Sequence, residues 1–402
     1  MIYRFADCAL DTERHELTRA GGPVHVEPQV FALLRLLAEG GGRLVTRDEM
    51  VAAVWSGRIV SEATISARIN AARVAVGDDG QRQAVIRTVV RRGLQLAVPV
   101  ETGAGDAGPG QATAIARPVE SAHQVVRITR SADGTGIAWA KSGEGPPLLR
   151  AGHWLSHLEL DWQSPVWRPL IDRFGATRSL YRYDPRGTGL SDRDCGPLTL
   201  DAFVADMKAV ADAAGLDRFA LYAVSQSVPV GIAFAARYPD RVSALVLHAG
   251  FVRGAAVRDR EEGTALSETF LSLIRNGWGT PGSAFMRAFS SLFLPTGTAE
   301  QIDSFLDMQV QSATPEFAER LRRAINELDV RDLLADVRCP ALVSHARGDA
   351  AQPFDQGRAL ASGIPDARFV ALDSPSHIIP PQEPAWEAVM SAIEEFLAEQ
   401  GA

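Results

Sequence analysis

The chain has 402 residues, 46% of them hydrophobic, and a formal net charge of −8. That length suggests two or three domains with ample material for a core. No run is long and apolar enough to span a bilayer, and the opening MIYRFADCALDTERHE is not a signal peptide, so a cytoplasmic protein without a membrane partner is expected.

Cys8, Cys195 and Cys339 are odd in number and far apart; they fit reduced thiols rather than a disulfide framework or a metal spacing. Charge is uneven. Residues 1–100 hold 13 Arg against 11 acidic residues, a balance of +2, and the remainder balances to −10. A weakly positive head on an acidic body points to the head as the part that meets an anionic polymer.

Residues 2–27 read as short strands with turns at Asp11-Thr12-Glu13 and Gly21-Gly22-Pro23. Pro28 to Glu39 has apolar residues at helical spacing and stops at Gly40-Gly41-Gly42. Thr46 and Glu49 form a capping box that opens a second helix, Met50 to Trp55. A third starts at Ser61 and runs to Val76. Val85 to Val98 carries two β-rich runs around Arg91-Arg92-Gly93, a hairpin. Three helices and a hairpin make a winged helix-turn-helix.

The stretches VTRDEMVAAVW (45–55), VSEATISARIN (60–70) and IRTVVRRGLQ (86–95) make residues 1–100 similar to the DNA-binding output domain of the OmpR/PhoB family. The resemblance implies that the third helix enters the major groove of double-stranded DNA and the wing touches the neighbouring minor groove. Thr64, Arg68 and Arg73 are expected on the exposed face of that helix. Arg87, Arg91 and Arg92 give the wing a basic edge. An isolated surface Arg is usually just solvated; here the resemblance favours DNA. Ala71, Ala72, Val74 and Ala75 stand where family members are often basic. That weakens phosphate binding and makes a homodimer the expected DNA-binding form.

Residues 101–122, rich in Gly, Ala and Pro, read as a flexible linker. The second domain, 123–402, opens with strands at Val125–Ser131 and Gly136–Lys141. A strand over Pro146–Gly152 leads into His153-Trp154. His153, His157, Glu159 and Asp161 lie close in sequence, but the surrounding Trp and Leu fit a packed loop better than a metal site, and no metal is expected. A strand over Arg178–Tyr183 leads into the Gly-containing loop Asp184–Asp192.

Leu221 to Gly231 (LYAVSQSVPVG) reads as strand, sharp turn at Ser225, then helix. That is the setting of a nucleophile elbow, with Ala223 and Ser227 as the small residues that let strand and helix approach. Taken alone, the stretch reads equally well as an ordinary loop. Two later strands, Ala341–Asp349 and Ala367–Asp373, decide between the readings, because the first ends in Asp349 and the second is followed by His377. The order Ser225, Asp349, His377 resembles the triad of the α/β-hydrolase fold. The chemistry needs all three: a Ser hydroxyl is a poor nucleophile until a His takes its proton, and a carboxylate must orient that His. The backbone N–H groups of Trp154 and Gln226 are the candidate oxyanion donors. The helical, aromatic-rich region of about 251–335 reads as a cap over the site.

The fold expected is therefore an N-terminal winged helix-turn-helix followed by an α/β-hydrolase domain with a mostly parallel sheet. No dinucleotide or phosphate-loop signature occurs, so no cofactor is expected. The function expected is a transcriptional regulator whose hydrolase domain senses, and can hydrolyse, a small organic ligand such as an ester or lactone. The alternative is a serine hydrolase with an accessory DNA-binding domain.

Overall fold

The computed structural model describes residues 2–12, 16–19, 21–24, 26–55, 62–78, 82–89, 92–103, 124–280 and 283–401. The chain divides into two compact units, Met1–Arg117 and Pro118–Ala402.

The first unit opens with four antiparallel strands, β1 (Ile2–Phe5), β2 (Cys8–Asp11), β3 (Glu16–Arg19) and β4 (Gly22–Val24). Then come α1 (Pro28–Glu39), β5 (Val45–Thr46), α2 (Arg47–Trp55), α3 (Glu62–Ala75), the hairpin β6 (Ile86–Val89) and β7 (Gly93–Leu96), and β8 (Glu101–Gly103). Strand β8 pairs with β1, giving a sheet of order β4-β3-β2-β1-β8. Residues 101–103 were expected in the linker. The ladder is made by backbone groups, so β1 can recruit a segment whose side chains give no strand signal.

Leu33, Leu34 and Leu37 of α1 pack with Ala72, Val76, Ile86 and Leu94 in one core. The capping box forms: the Thr46 N–H donates to Glu49 Oε2 at 2.7 Å and the Glu49 N–H donates to Thr46 Oγ1 at 3.3 Å. Gly93 sits at φ 147°, and a Cβ there would lie 2.0 Å from the Val45 carbonyl oxygen. The wing can therefore close against β5 only with glycine at this position.

The second unit is built on an eight-stranded sheet. Its strands are β9 (Val125–Arg130), β10 (Gly136–Ser142), β11 (Pro147–Arg150), β12 (Ser179–Tyr183), β13 (Phe219–Val224), β14 (Val242–His248), β15 (Ala341–Ala346) and β16 (Ala367–Leu372), in the order β16-β15-β14-β13-β11-β12-β10-β9. The last six in chain order run parallel to their neighbours, and β10 is antiparallel to both β9 and β12. The helices are α4 (Leu158–Gln163), α5 (Arg168–Gly175), α6 (Leu200–Ala213), α7 (Ser227–Arg237), the cap helices α8 (Ala255–Glu262), α9 (Leu266–Gly277), α10 (Ala284–Phe293), α11 (Ala299–Ser312) and α12 (Pro315–Asn326), then α13 (Phe354–Gly363) and α14 (Pro384–Glu399). Strands β13 and β15 are buried along their whole length, as expected for parallel strands covered on both faces. Of the cap aromatics, Phe270, Trp278, Phe289 and Phe293 are buried, whereas Phe285 is half exposed.

The loop after β12 is anchored by charge. Fully buried Arg186 donates to both carboxylate oxygens of Asp206, at 2.8 and 2.6 Å, and to Asp133 at 2.7 Å. Asp184 accepts from the Ser156 hydroxyl and from the N–H groups of Leu158 and Leu190. It thereby ties this loop to the segment after β11. Burial pushes the Asp184 carboxyl up to about 6. Arg186→Ala leaves Asp206 buried without its partner and is expected to destabilise this unit by about 3–5 kcal/mol, measured by chemical denaturation; a change below about 1 kcal/mol counts against the anchor.

Candidate active site and nucleic-acid interface

The site starts from one turn. Strand β13 ends at Val224, Ser225 takes a left-handed backbone at φ 56°, and α7 begins two residues later. The Ser225 N–H donates to the His248 carbonyl at 2.9 Å, extending the β13–β14 ladder by one bond. The Ser227 hydroxyl closes the turn, donating to the Val224 carbonyl at 2.8 Å and accepting the Val224 N–H at 2.9 Å. A Cβ on Gly231 would stand 3.0 Å from the Ala223 Cβ. Gly231 therefore supplies the clearance that Ala223 does not, and the strand and helix still approach closely.

Asp349 follows β15 and His377 follows β16, so parallel strands deliver both groups to the sheet edge where Ser225 sits. The Ser225 hydroxyl donates to His377 Nε2 at 2.8 Å, and His377 Nδ1 donates to Asp349 Oδ2 at 2.7 Å. The other Asp349 oxygen accepts the Ala351 and Gln352 N–H groups at 2.8 and 2.9 Å. Burial pushes the Asp349 carboxyl up, but the His377 ring against it and the hydrogen bonds from His377 and the Gln352 N–H prevail and hold it below the ordinary carboxylate range. It is thus an anion, fixed to receive Nδ1–H and to leave the Nε2 lone pair toward Ser225. His377 and Asp349 are almost wholly buried, and Ser225 is half-buried.

Two histidines not anticipated from the sequence stand beside this relay. His248 ends β14 and shares a 2.9 Å hydrogen bond with the Ser344 hydroxyl. His345 Nε2 lies 3.5 Å from Asp349 Oδ2 and donates to the Gln352 carbonyl at 3.0 Å. Burial, then repulsion from His377 and His345, pushes His248 down to about 3. Burial likewise lowers His345. Both are neutral at ordinary pH and do not compete with His377 for positive charge. Their signal was available: each lies at the carboxyl end of a buried strand, like Asp349.

Five non-glycine residues have positive φ among the described residues, and three of them, Leu155, Ser225 and Ala249, follow β11, β13 and β14. Such backbone strain gathers at functional sites. Trp154 is buried, and its indole N–H donates to Gln309 of α11 at 3.0 Å, which joins this loop to the cap. Gln226 heads α7 directly after Ser225. Phe293 of α10 meets the His377 ring edge-on, with centroids 5.3 Å apart. His153 Nε2 and Asp161 Oδ2 are 2.9 Å apart, and His157 caps α4, so these side chains serve local structure.

The arginines expected on the DNA face meet different fates. Arg87 and Arg92 are exposed. Arg68 is half-buried and held at the start of α1, with Nη1 2.5 Å from Glu27 and Nε donating to Gln29 at 2.9 Å. Arg73 is not on the exposed face, in contrast to the sequence expectation. It is buried and donates to the Ile86 carbonyl at 3.3 Å and the Thr88 hydroxyl at 2.6 Å, sewing α3 to the wing. Its position falls in the inward stripe with Ala72 and Val76, and its long stem reaches past the core to polar groups of β6. The Thr64 side chain and Arg91 lie outside the described residues.

Comparison with known proteins agrees with both halves. The alpha/beta hydrolase fold family matches residues 160–384, and the C-terminal domain of transcriptional regulatory proteins matches residues 21–96. A RutD protein of Azorhizobium caulinodans, named for carbamate hydrolysis, is 33% identical over 244 residues, which span 58% of this chain and 85% of that protein. The transcriptional activator CadC of Escherichia coli is 29% identical over 100 residues, 25% of this chain and 20% of CadC. A thermophilic esterase from Thermogutta terrifontis shares the fold, with a TM-score of 0.57 at 24% identity, covering 70% of this chain and 100% of that one. The chain belongs to the alpha/beta hydrolase fold family and carries, at residues 21–96, an OmpR/PhoB-type DNA-binding domain.

Proposed function

We propose that this protein is a DNA-binding transcriptional regulator whose hydrolase domain binds and cleaves a small acyl compound, and that occupancy of the Ser225 site sets DNA binding. The observation that carries the catalytic part is the unbroken line Ser225 Oγ to His377 to Asp349, with bonds of 2.8 and 2.7 Å, on a left-handed elbow. Ester, lactone and carbamate substrates share the reactive acyl carbon that this line addresses. The RutD likeness supports the carbamate.

In the first step Ser225 Oγ attacks the acyl carbon while its proton passes to His377 Nε2. Asp349 stabilises the imidazolium that results. The N–H groups of Gln226 and Trp154 are the proposed donors to the oxyanion. Collapse of the tetrahedral intermediate breaks the bond to the leaving alcohol or amine, which takes the proton from His377. Water then attacks the acyl-Ser225 ester, His377 accepting its proton and returning one to Ser225, and the acid is released.

Ser225→Ala and His377→Ala are each expected to lower turnover of a short-chain aryl ester by about 10⁴-fold or more, with the double variant no worse than either, because the pair acts as a unit. A fluorophosphonate probe should label Ser225 in the full chain. Turnover that survives Ser225→Ala would remove the catalytic reading. A labelled protein that binds its operator like the unlabelled one would reduce the DNA-binding domain to an accessory.

For the DNA-binding part, exposed Arg87 and Arg92 act as phosphate contacts in the proposed complex, joined by Thr64 and Arg91 on the family resemblance. Arg68 reaches a base only by leaving Glu27. The protein acts as a homodimer on adjacent half-sites. Replacing Arg87 and Arg92 together by Ala is expected to reduce the slope of log affinity against log salt by about 2. Gel shifts across a salt series measure the slope, and light scattering of the complex counts chains per duplex. An unchanged slope, or one chain per operator, rejects the corresponding part.

A further inference from the structure

The cap holds two buried guanidiniums without carboxylate partners. Arg322 on α12 is 4% exposed, and no hydrogen bond or ion pair to it occurs among the described residues. Its contacts are two rings, Phe270 at 4.3 Å and Trp154 at 6.0 Å. Arg258 on α8 is also 4% exposed. Its Nη1 donates to the Arg253 carbonyl and, at 3.4 Å, to Gln352 Oε1, while Nη2 has no acceptor. Asp259 and Glu262 attract Arg258 only at a distance; Asp259 is spent on Thr264 and Ser267, and Glu262 stands 3.4 Å from Arg253. Asn326, one turn beyond Arg322, is 3% exposed and has an unpartnered Nδ2. Arg150 and Arg182 differ in standing 3.7 and 3.9 Å from Asp161, and Arg186 in pairing with Asp206.

A buried cation without an anion is costly, and two that repel each other cost more. Burial, followed by repulsion from Arg258, pushes Arg322 down to about 10, still cationic at neutral pH. The location is informative. Trp154 beneath Arg322 belongs to the candidate oxyanion loop. Gln352 beside Arg258 donates its N–H to Asp349 at 2.9 Å. Leu321 and Ile325, the neighbours of Arg322 and Asn326 on α12, line a cavity of about 20 Å³ together with Gly152, Gln226 and Ser227. Arg322 therefore adjoins the oxyanion loop and Arg258 the Asp349 loop, while the Leu321–Ile325 face of α12 packs over the elbow.

We propose that Arg322, Arg258 and Asn326 form an anion subsite in the cap that holds a carboxylate of the ligand, so that the substrate is an acyl compound with a second, ionised carboxyl group. This deepens the hydrolase reading of Ser225 and rests on it. A guanidinium takes a carboxylate by two parallel N–H bonds, and the Asn326 amide adds a third donor. The ligand supplies the anion that the folded chain lacks, and its charge orients the acyl carbon relative to Ser225.

The test compares two aryl esters with the full-length protein: neutral 4-nitrophenyl butyrate and the anionic half-ester 4-nitrophenyl hydrogen glutarate. Wild type is expected to favour the half-ester in kcat/KM, and Arg322→Met to lower the half-ester-to-butyrate ratio by about tenfold or more. Arg322→Lys should retain part of the preference. Because Arg322→Met removes an unpaired buried charge, its Tm should equal or exceed that of wild type. A ratio unchanged in Arg322→Met, or a wild type that prefers butyrate, overturns the subsite while leaving the hydrolase reading intact. Should neither ester turn over and the fluorophosphonate fail to label Ser225, the hydrolase reading has failed, and binding decides the subsite alone. Millimolar glutarate that raises the Tm of wild type but not of Arg322→Met, against sodium chloride of equal ionic strength, sustains it; no shift in wild type overturns it.

Discussion

The second unit is arranged around the close contact of β13 with α7. To turn from strand to helix within two residues, Ser225 adopts φ 56°, a conformation that costs a non-glycine residue about 1–3 kcal/mol. Burial on both sides of the turn holds it there: every residue of β13 is buried, as is α7 from Ser227 to Ala235. The missing Cβ of Gly231 and the Ser227 bonds to Val224 keep the geometry without glycine at 223 or 227. With the hydroxyl lifted from the sheet edge, the neighbouring parallel strands need only end at the same level to bring Asp349 and His377 to it.

Electrostatics then sort the ionisable groups around the turn. Three imidazoles lie near one carboxylate. Burial makes His248 and His345 neutral, while Asp349, supplied with two backbone N–H groups and the His377 ring, stays ionised. The environment rather than the residue type assigns the roles. Hydrophobic contact completes the arrangement, since Phe293 packs its ring edge-on against His377, and its carbonyl accepts the Ile378 N–H at 2.9 Å. The cap thereby helps to position the His377 ring.

In the first unit, arginines in one short region do three different things. Arg73 cross-links α3 to the wing, Arg68 is neutralised by Glu27, and Arg87 and Arg92 face solvent. A charge count treats them alike. Phosphate neutralisation depends on which of them keep their charge exposed, and that is set by the partners each side chain finds on folding.

How far each level of information reaches follows from the range of the interactions involved. The two folds, the elbow at Ser225, the Thr46–Glu49 cap, the β6–β7 hairpin and the order Ser, Asp, His were legible in the chain. They rest on local signals: period, capping and turn chemistry, and strand ends. Tertiary structure decided what depends on partners distant in sequence. Strand β8 arose from pairing across almost 100 residues with β1. The inward turn of Arg73 required the β6 edge. His248 and His345 became neighbours of Asp349 because three parallel strands align their carboxyl ends. The packing of cap helices α8 and α12 buried Arg258 and Arg322 without placing a carboxylate against either. A linear sequence states which groups carry charge; only the packed chain states which of those charges have lost water, and whether another group has replaced it.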